Sequence, residues 1–254
     1  MSGFKDHFSA GASRYAAHRP VYPAALAEWL ASLCESRTSA WDVGCGTGQL
    51  SVLLADRFER VIATDASAQQ VARAAAHPRV EYWVAPAERS GLPESSVDLI
   101  AAAQAAHWFD LPVFYGEVRR AAKRGAAVAL VCYGRCMVDD GGPIDGAVEA
   151  IYSGLLAPYW PPERRHVETG YADMPFPFEE LPPSTLPGLE MTAEWERGQL
   201  AAYIGTWSAV GVAERAGVRN VVERLTAELA DVWPEGEKNV VRWPLSLRVG
   251  RVER

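Results

Sequence analysis

The feature that most constrains this chain is a glycine-rich turn, Asp42-Val43-Gly44-Cys45-Gly46-Thr47-Gly48. Residues 40–43, just before the glycines, form a short apolar run that predicts a strand, and residues 50–58 predict a helix. Glycines let the backbone turn sharply and approach a ligand where a Cβ atom would collide. The pattern therefore predicts a strand–turn–helix unit with a ligand at the turn.

Strand-like and helix-like segments alternate along the first half of the chain. Ser67 and Gln70 have the spacing of a capping box, which predicts that a helix begins there and runs to residue 76. Another helix is predicted to end near Lys123, and further strands are predicted at residues 60–65, 80–84, 97–102 and 126–133. Alternation of this kind is typical of parallel sheets that are buried on both faces. The expected fold class is therefore α/β, with a doubly wound, Rossmann-like, mostly parallel sheet.

An acidic residue stands at the predicted end of the second strand. Asp65 lies 17 residues after Gly48, and a carboxylate at this place can accept hydrogen bonds from both ribose hydroxyls of an adenosine cofactor. A glycine turn combined with a helix-capping Asp is the purely structural alternative. The spacing Gly44-x-Gly46-x-Gly48 also differs from the G-x-G-x-x-G pattern of nicotinamide enzymes, which makes a nicotinamide cofactor the less favoured one.

The turn and the acid before it resemble motif I of the class I S-adenosylmethionine-dependent methyltransferases. Asp65 matches the ribose-binding acid of that family, Ala87-Glu88 matches the loop that flanks the adenine, and Val97-Asp98-Leu99-Ile100 matches its fourth strand. The resemblance implies S-adenosyl-L-methionine as cofactor, S-adenosyl-L-homocysteine as product, and no metal. The cofactor-binding residues that it implies are Asp42, Gly44, Cys45, Gly46, Gly48, Asp65, Ala66, Ala87, Glu88 and Gln104.

Three further segments resemble the type 11 branch of this superfamily, which includes trans-aconitate methyltransferase-like proteins: residues 15–23, 104–110 and 206–209. In similar enzymes the N-terminal segment folds over the cofactor and acceptor, so Tyr15 and Arg19 are candidate substrate-binding residues. Trp207 and Arg248 are further candidates for the acceptor pocket. Each has a structural alternative: a surface helix for the N-terminal pair, core packing for Trp207, and a surface ion pair for Arg248.

His107 is the candidate catalytic residue. It lies just beyond the carboxyl end of a predicted sheet strand, where ligands of open α/β sheets bind. An unperturbed imidazole titrates at about pH 6.5, so it can serve as a general base at neutral pH. The alternative is that His107 only forms a hydrogen bond with a neighbouring loop. A base is needed for a hydroxyl or amine acceptor, whereas a carboxylate is already ionised at pH 7.

The composition changes in the middle of the chain. Nine of the 17 prolines lie between Gly141 and Gly188, interleaved with aromatic residues, which favours an ordered insertion or lid over a disordered linker. After it, strands are predicted at residues 189–195 and 243–252, with a helix over residues 218–229. We expect one domain over residues 1–254, divided into an N-terminal cap (1–34), a cofactor-binding core (35–138), the insertion (139–188) and a C-terminal part on the acceptor side (189–254).

Charge and cysteine content restrict the partners. The formal net charge is −7, which disfavours a nucleic-acid or anionic-membrane partner. The four cysteines, at positions 34, 45, 132 and 136, form no metal-binding pattern and suit a reducing compartment. Neither a long apolar span nor a signal peptide is present, so we expect a cytoplasmic protein. The sequence leaves open whether it is a monomer or homodimer.

The resulting functional prediction is a methyltransferase that acts on a small molecule, with O-methylation of a carboxylic acid as one candidate reaction. Two alternatives come from other classes: a non-catalytic protein that binds an adenosine cofactor, and a nicotinamide-dependent oxidoreductase. The oxidoreductase is disfavoured by the glycine spacing and by the lack of a Tyr-x-x-x-Lys pair. The non-catalytic alternative stays open, because no single residue is indispensable to methyl transfer.

Overall fold

The computed structural model describes residues 20–253, so Tyr15, Arg19 and most of the predicted N-terminal cap lie outside the described residues. Within this range the centre of the fold is a sheet of order β3-β2-β1-β4-β5-β8-β6, with β7 paired to β8. Its strands are β1 (Ser39–Val43), β2 (Arg60–Asp65), β3 (Val80–Val84), β4 (Val97–Ala103), β5 (Ala122–Tyr133), β6 (Glu179–Glu180), β7 (Glu190–Trp195) and β8 (Asn239–Arg251).

The first five strands pair in parallel, and β8 runs antiparallel to β5, β6 and β7. The carboxyl ends of the parallel strands therefore meet at one edge of the sheet, where ligands of open α/β sheets bind. The predicted α/β class with a mostly parallel sheet is confirmed.

Helices cover both faces of this sheet. The α-helices of the described part are α1 (Ala24–Ser32), α2 (Gln49–Ala55), α3 (Ala68–Val71), α4 (Leu111–Ala121), α5 (Pro143–Glu149), α6 (Arg164–Glu168), α7 (Arg197–Ile204), α8 (Ser208–Arg215) and α9 (Val221–Ala230). The side chains of α1, α2, α7, α8 and α9 form one apolar layer, and those of α4 belong to a second layer on the opposite face. No helix among residues 20–253 is long and apolar enough to cross a membrane.

The central strand β1 is buried along its whole length, as its apolar composition predicts. On one face Trp41 packs edge-on against Phe114 of α4, with ring centroids 6.2 Å apart. The indole nitrogen of Trp41 donates a hydrogen bond to Thr64 Oγ1 at 2.9 Å, which satisfies the polar atom of a fully buried side chain. This contact fixes β1 against β2, the two strands that lead into the glycine turn and to Asp65.

A buried carboxylate joins three strands at the opposite, amino edge of the sheet. Asp98 of β4 accepts hydrogen bonds from the backbone nitrogens of Thr38 and Ser39 and pairs with Lys123 at 2.8 Å. Burial by itself would raise the pKa of Asp98, but the hydrogen bonds from Lys123, Thr38 and Ser39 outweigh burial and hold that pKa below its usual value. Asp98 therefore remains charged and sets the register of β1, β4 and β5 from the side away from the glycine turn.

The predicted helix over residues 67–76 is too long. Helix α3 ends at Val71, and the following turn brings the backbone nitrogen of Ala75 to the carbonyl of Thr47 at 3.0 Å. The capping box is also incomplete, because Ser67 accepts from the Gln70 nitrogen while the Ser67 nitrogen donates to Asp65. A tertiary contact with the glycine turn thus ends this helix early.

The proline-rich insertion is folded. It contains α5, a π-helical turn at Ala150–Leu155, a 3-10 turn at Ala157–Tyr159, and α6. Tyr152 and Trp160 of the insertion pack with their rings tilted and their centroids 4.6 Å apart, and both contact Trp207, which precedes α8. The aromatic residues that argued against a disordered linker form this contact with the C-terminal part of the chain.

Replacing Asp98 tests the anchor at the amino edge. We expect Asp98→Ala to lower the free energy of unfolding by about 3 kcal/mol, since backbone donors and Lys123 lose a charged acceptor. Glu81→Ala is the matched control, because the Arg60–Glu81 pair is exposed, and we expect it to cost no more than about 1 kcal/mol. Equal losses in urea titrations of the two variants would show that Asp98 is not an anchor.

Candidate functional site

The glycine turn requires glycine for two separate reasons. Gly44, Gly46 and Gly48 have φ angles of +67°, +55° and +83°, a region that L side chains rarely adopt. A Cβ atom on Gly44 would lie 2.5 Å from Ala105 Cβ, and one on Gly48 would collide with the Tyr82 hydroxyl. A Cβ atom on Gly46 would meet no protein atom within 4 Å, so this glycine borders open space. The turn is therefore packed from behind and open in front.

Asp65 ties the turn to the end of β2. One oxygen of its carboxylate accepts from the Gly46 nitrogen at 2.9 Å, and the other accepts from the Ser67 nitrogen at 2.8 Å. The nitrogens of Gly44 and Cys45 donate to the carbonyl of Thr64. Each carboxylate oxygen has more than one acceptor position, so Asp65 can accept from a ligand while it holds the turn.

A cavity of about 940 Å³ lies in front of the turn, within the roughly 300–1,000 Å³ that is usual for small-molecule sites. Four segments at the carboxyl edge form most of its walls: the glycine turn and the segments that follow β2, β3 and β4. The predicted residues that border it are Asp42, Gly44, Cys45, Gly46, Asp65, Ala66, Ala87, Glu88, Gln104 and His107. Gly48, the residue before α2, is not in the wall, and its Cβ position faces the Tyr82 hydroxyl.

Asp42 gives this cavity a buried carboxylate with an unsatisfied oxygen. Its Oδ2 accepts from the Ser51 hydroxyl, whereas its Oδ1 has no hydrogen-bond partner among the described residues. Burial raises the pKa of Asp42 to about 7, and the nearby charge of Asp65 adds to the effect, although the Ser51 hydrogen bond opposes it. A cationic or hydrogen-donating ligand group beside Oδ1 would complete its bonding. Gln70 Oε1, at the same cavity, is a second buried acceptor without a described partner.

Gln104 is held by the backbone. Its side chain forms two hydrogen bonds with the backbone of Tyr133. Gln104 Nε2 donates to the Tyr133 carbonyl at 3.0 Å, and Gln104 Oε1 accepts from the Tyr133 nitrogen at 3.1 Å. Its φ of +55° is strained for a residue with a side chain, and such strain is concentrated at functional sites. Gln104 therefore contributes a fixed wall, and its amide is committed to Tyr133. Glu88, also in the wall, accepts from the Asp110 nitrogen at 2.8 Å.

His107 stands between this cavity and a second, smaller one. Its Nδ1 lies 2.8 Å from the hydroxyl of Tyr171, a side chain that is fully buried. Burial, aided by the nearby positive charge of Arg164, lowers the pKa of His107 to about 3. The imidazole is therefore neutral at physiological pH and a weak base, which differs from the unperturbed histidine expected from the sequence.

The second cavity has about 50 Å³, enough for a few water molecules at roughly 10–15 Å³ each. It shares Gln104, His107, Trp108 and Tyr133 with the large cavity, so the two spaces adjoin. The rest of its wall is mainly aromatic and includes one cation: Trp160, Pro161, Arg164, Tyr203, Trp207 and Ser208. The predicted residue Trp207 is thus in the wall of this smaller cavity.

The structure places Arg248, a candidate for the acceptor pocket, in an ion pair. Its side chain pairs with Glu180 at 2.8 Å and donates to the carbonyls of Tyr171 and Met174. It borders neither of the two cavities. These bonds hold the end of the insertion against β8. An ion pair was the structural alternative for Arg248 that the sequence left open. Tyr15 and Arg19 lie outside the described residues.

The sequence analysis missed Arg164, Tyr171 and Tyr203. All three reach the site only through tertiary folding, from α6, the turn after it, and α7. The interleaved aromatic residues of the insertion were noticed, but nothing in Pro161-Pro162-Glu163-Arg164-Arg165 distinguishes the first arginine from the second. No group of His, Cys, Asp and Glu side chains within residues 20–253 is arranged to hold a metal ion.

Comparison with known proteins gives concordant results. A family model described as a methyltransferase domain matches residues 41–130. A Dictyostelium discoideum protein, provisionally named as a methyltransferase, is 32% identical over 228 residues, which is 89% of this chain and 86% of the relative. The chain therefore matches this relative along nearly the whole length of both proteins.

Comparison with solved structures also points to methyltransferases. A protein from Anaeromyxobacter dehalogenans, provisionally titled a type II methyltransferase, is 46% identical, with a TM-score of 0.84 over 92% of this chain and 98% of that one. A protein from Anabaena variabilis, provisionally titled a methyltransferase of an antibiotic biosynthesis pathway, is 18% identical, with a TM-score of 0.52 over 87% of this chain and 96% of that one. The second likeness concerns the fold alone.

The raised pKa of Asp42 predicts a pH-dependent stability. In the unfolded state Asp42 has a reference pKa of about 3.9 and loses its proton above that pH, whereas in the folded state it keeps the proton up to about pH 7. The contribution of Asp42 to the free energy of unfolding therefore falls as pH rises from about 4 to 7. Asp42→Asn should remove this decline, and its stability relative to the parent should rise by up to a few kcal/mol over that interval. The exposed Asp56→Asn is the control. Parallel pH curves for Asp42→Asn and the parent, from urea titrations, would contradict the prediction.

Proposed function

Since the chain belongs to the class I S-adenosylmethionine-dependent methyltransferases, we propose that it transfers a methyl group from S-adenosylmethionine to a small-molecule acceptor. One observation carries the assignment to this site: a glycine turn and two carboxylates, Asp42 and Asp65, border the same cavity at the carboxyl edge of the sheet. The open side of Gly46 and the unsatisfied oxygen of Asp42 suit a ligand that is polar and positively charged.

The cofactor is proposed to lie along the turn. Asp65 would accept from the ribose hydroxyls, and Asp42 Oδ1 would face the positively charged amino group. Ala66, Ala87 and Glu88 would border the adenine. Cys45 would contribute its backbone and not a thiolate, because burial and the two neighbouring carboxylates raise the pKa of its thiol. When bound, S-adenosylmethionine supplies a methyl group on a sulfonium, whose carbon passes to a nucleophile as the bonding electron pair returns to sulfur.

The protein's own contribution is alignment and exclusion of water. Opposite charges disappear when an anionic nucleophile meets a sulfonium, so a dry site favours the transition state relative to water. The aromatic walls around His107, Trp160 and Trp207 exclude water on the acceptor side. Correct alignment of two reactants can supply about 7–11 kcal/mol, and the strained, hydrogen-bonded Gln104 is a rigid wall for it.

The acceptor chemistry that we favour is O-methylation of a carboxylic acid. The supporting observation is the low pKa of His107, because a base that is protonated only near pH 3 takes a proton poorly from a hydroxyl. A carboxylate needs no base, since it is ionised at pH 7. The net charge of −7 supports a small-molecule partner over nucleic acid. A cytoplasmic monomer or homodimer remains part of the proposal.

Calorimetric titration with S-adenosylhomocysteine, with NAD as comparison, tests the cofactor. We expect micromolar affinity for the first and no binding of the second. Asp65→Ala should weaken the binding of S-adenosylhomocysteine by about 1–3 kcal/mol, as for the loss of a charged hydrogen-bond acceptor. Asp56→Ala, which removes an exposed carboxylate outside the cavity, is the control and should bind as the parent does. Unchanged affinity in Asp65→Ala would refute the ribose assignment.

A second test concerns His107. With a carboxylate acceptor, His107→Ala should keep most of the turnover. The pH profiles of kcat/KM for the parent and His107→Ala should have the same shape between pH 5 and 8, because the pKa of His107 is about 3 and Asp42, with a pKa of about 7, is present in both. Methyl transfer to a panel of carboxylic acids and phenols provides the measurement. A loss of several hundredfold in His107→Ala, with S-adenosylhomocysteine affinity intact, would replace the carboxylate with a hydroxyl acceptor that needs a base. Binding without turnover of any compound would instead favour a non-catalytic adenosine-binding protein.

A further inference from the structure

We propose that Arg164 binds a carboxylate of the acceptor, so that the substrate is a small aromatic acid held by a group separate from its reacting atom. The inference rests on the proposed function, because it concerns the acceptor side of the same site. It assigns a specificity-determining residue in place of Arg248, whose donors are used elsewhere.

Arg164 is held with one side of its guanidinium occupied and the other available. Its Nε donates to the hydroxyl of Tyr152 at 2.9 Å, and this hydroxyl donates in turn to Glu168 at 2.7 Å. The guanidinium carbon lies 5.0 Å from the ring centroid of Trp160 and 5.6 Å from that of Tyr152. No described residue accepts a hydrogen bond from the two terminal nitrogens of Arg164, and no described carboxylate forms an ion pair with it.

This arrangement differs from that of nearby arginines. Arg248 has Glu180 as a two-point partner, and Arg165 lies 4.0 Å from Asp173 with a side chain that is 74% exposed. Arg164 is half-buried in a cavity wall whose described residues include no acid. Ring contacts and the Tyr152 hydrogen bond orient its fork before a ligand arrives, which lowers the entropy lost on binding.

The two cavities differ in the charge of the residues that border them. The described acidic residues that border them all belong to the large cavity: Asp42, Asp65, Glu88, Asp110 and Glu163. The small cavity has Arg164 and the neutral His107. Among its described residues the large cavity has one cation, Arg89, against these five acids, so it still suits a positively charged ligand, and the small cavity suits a negatively charged group. Aromatic walls that exclude water strengthen the attraction between Arg164 and an anion.

Size and shape narrow the ligand further. The small cavity, at about 50 Å³, holds a group the size of a carboxylate but not a whole acceptor. The planar fork of an arginine matches a carboxylate in two-point contact. Because two-point contact with a guanidinium withdraws charge from the anchored oxygens and makes them poor nucleophiles, the reacting oxygen belongs to a second carboxylate of the same molecule. His107, Trp108 and Tyr133 border both cavities, so the part of the acceptor that extends from the anchor would lie against their rings, which favours a flat aromatic body.

The test measures binding of benzoate and of its neutral analogue benzamide to the full chain by ligand-observed NMR, with and without S-adenosylhomocysteine. We expect the parent to bind benzoate about 10-fold or more tightly than benzamide. Arg164→Gln should lose this preference, and its affinity for benzoate should be roughly 10- to 100-fold weaker than that of the parent. Arg165→Gln, the adjacent and exposed arginine, should keep the preference. Arg164→Lys should restore part of it, since the charge returns without the fork.

The outcomes separate this proposal from the cofactor assignment. Equal binding of benzoate and benzamide by the parent, no binding of either, or benzoate binding that survives Arg164→Gln would overturn the role of Arg164 even if S-adenosylhomocysteine binds. Loss of S-adenosylhomocysteine binding with an intact benzoate preference would overturn the cofactor assignment alone. With benzenedicarboxylates as acceptors, in which one carboxylate is anchored and the other reacts, Arg164→Gln should raise KM far more than it lowers kcat. Thermal unfolding of both glutamine variants checks that they are folded.

Discussion

The site depends on the hydrogen bond between the Gly46 nitrogen and the carboxylate of Asp65. It joins the turn after β1 to the end of β2, and only a glycine can adopt the backbone angles that present this nitrogen without strain. The same carboxylate holds the Ser67 nitrogen at the start of α3. One side chain thus fixes two walls of the large cavity, and Asp98 sets the register of the same sheet from its other edge.

Electrostatics divide the site into two halves. Carboxylates border the large cavity, with Asp42 so deeply buried that its pKa rises to about 7. On the other side, Arg164 is close enough to help burial keep His107 neutral. A cationic cofactor and an anionic acceptor would each lower the cost of burying the unpaired charge that it meets. The neutral imidazole between the two halves separates them without adding charge of its own.

Prediction from the sequence was most accurate where a structure depends on neighbouring residues. Strands β1 to β4 follow their apolar runs closely, and Asp65 stands where its distance from the glycines indicated. Helix α3 is shorter than predicted, because a contact between Ala75 and the glycine turn ends it. Arg248 was a reasonable candidate for binding an anion. Its partner Glu180 lies 68 residues away, and a pattern in the sequence does not reveal such a pair.

The sequence by itself determined the fold class and the glycine turn that meets Asp65, because apolar runs mark the strands and local rules for glycine mark the turn between β1 and α2. Only the tertiary structure decided which residues form the wall of the small cavity. There His107, Trp160, Arg164 and Trp207 come from separate elements, and their contacts depend on how the insertion packs against the helices before β8. Two adjacent arginines are alike in the sequence. Packing buries one against aromatic rings and leaves the other in solvent, and this difference in environment makes Arg164 a candidate for function.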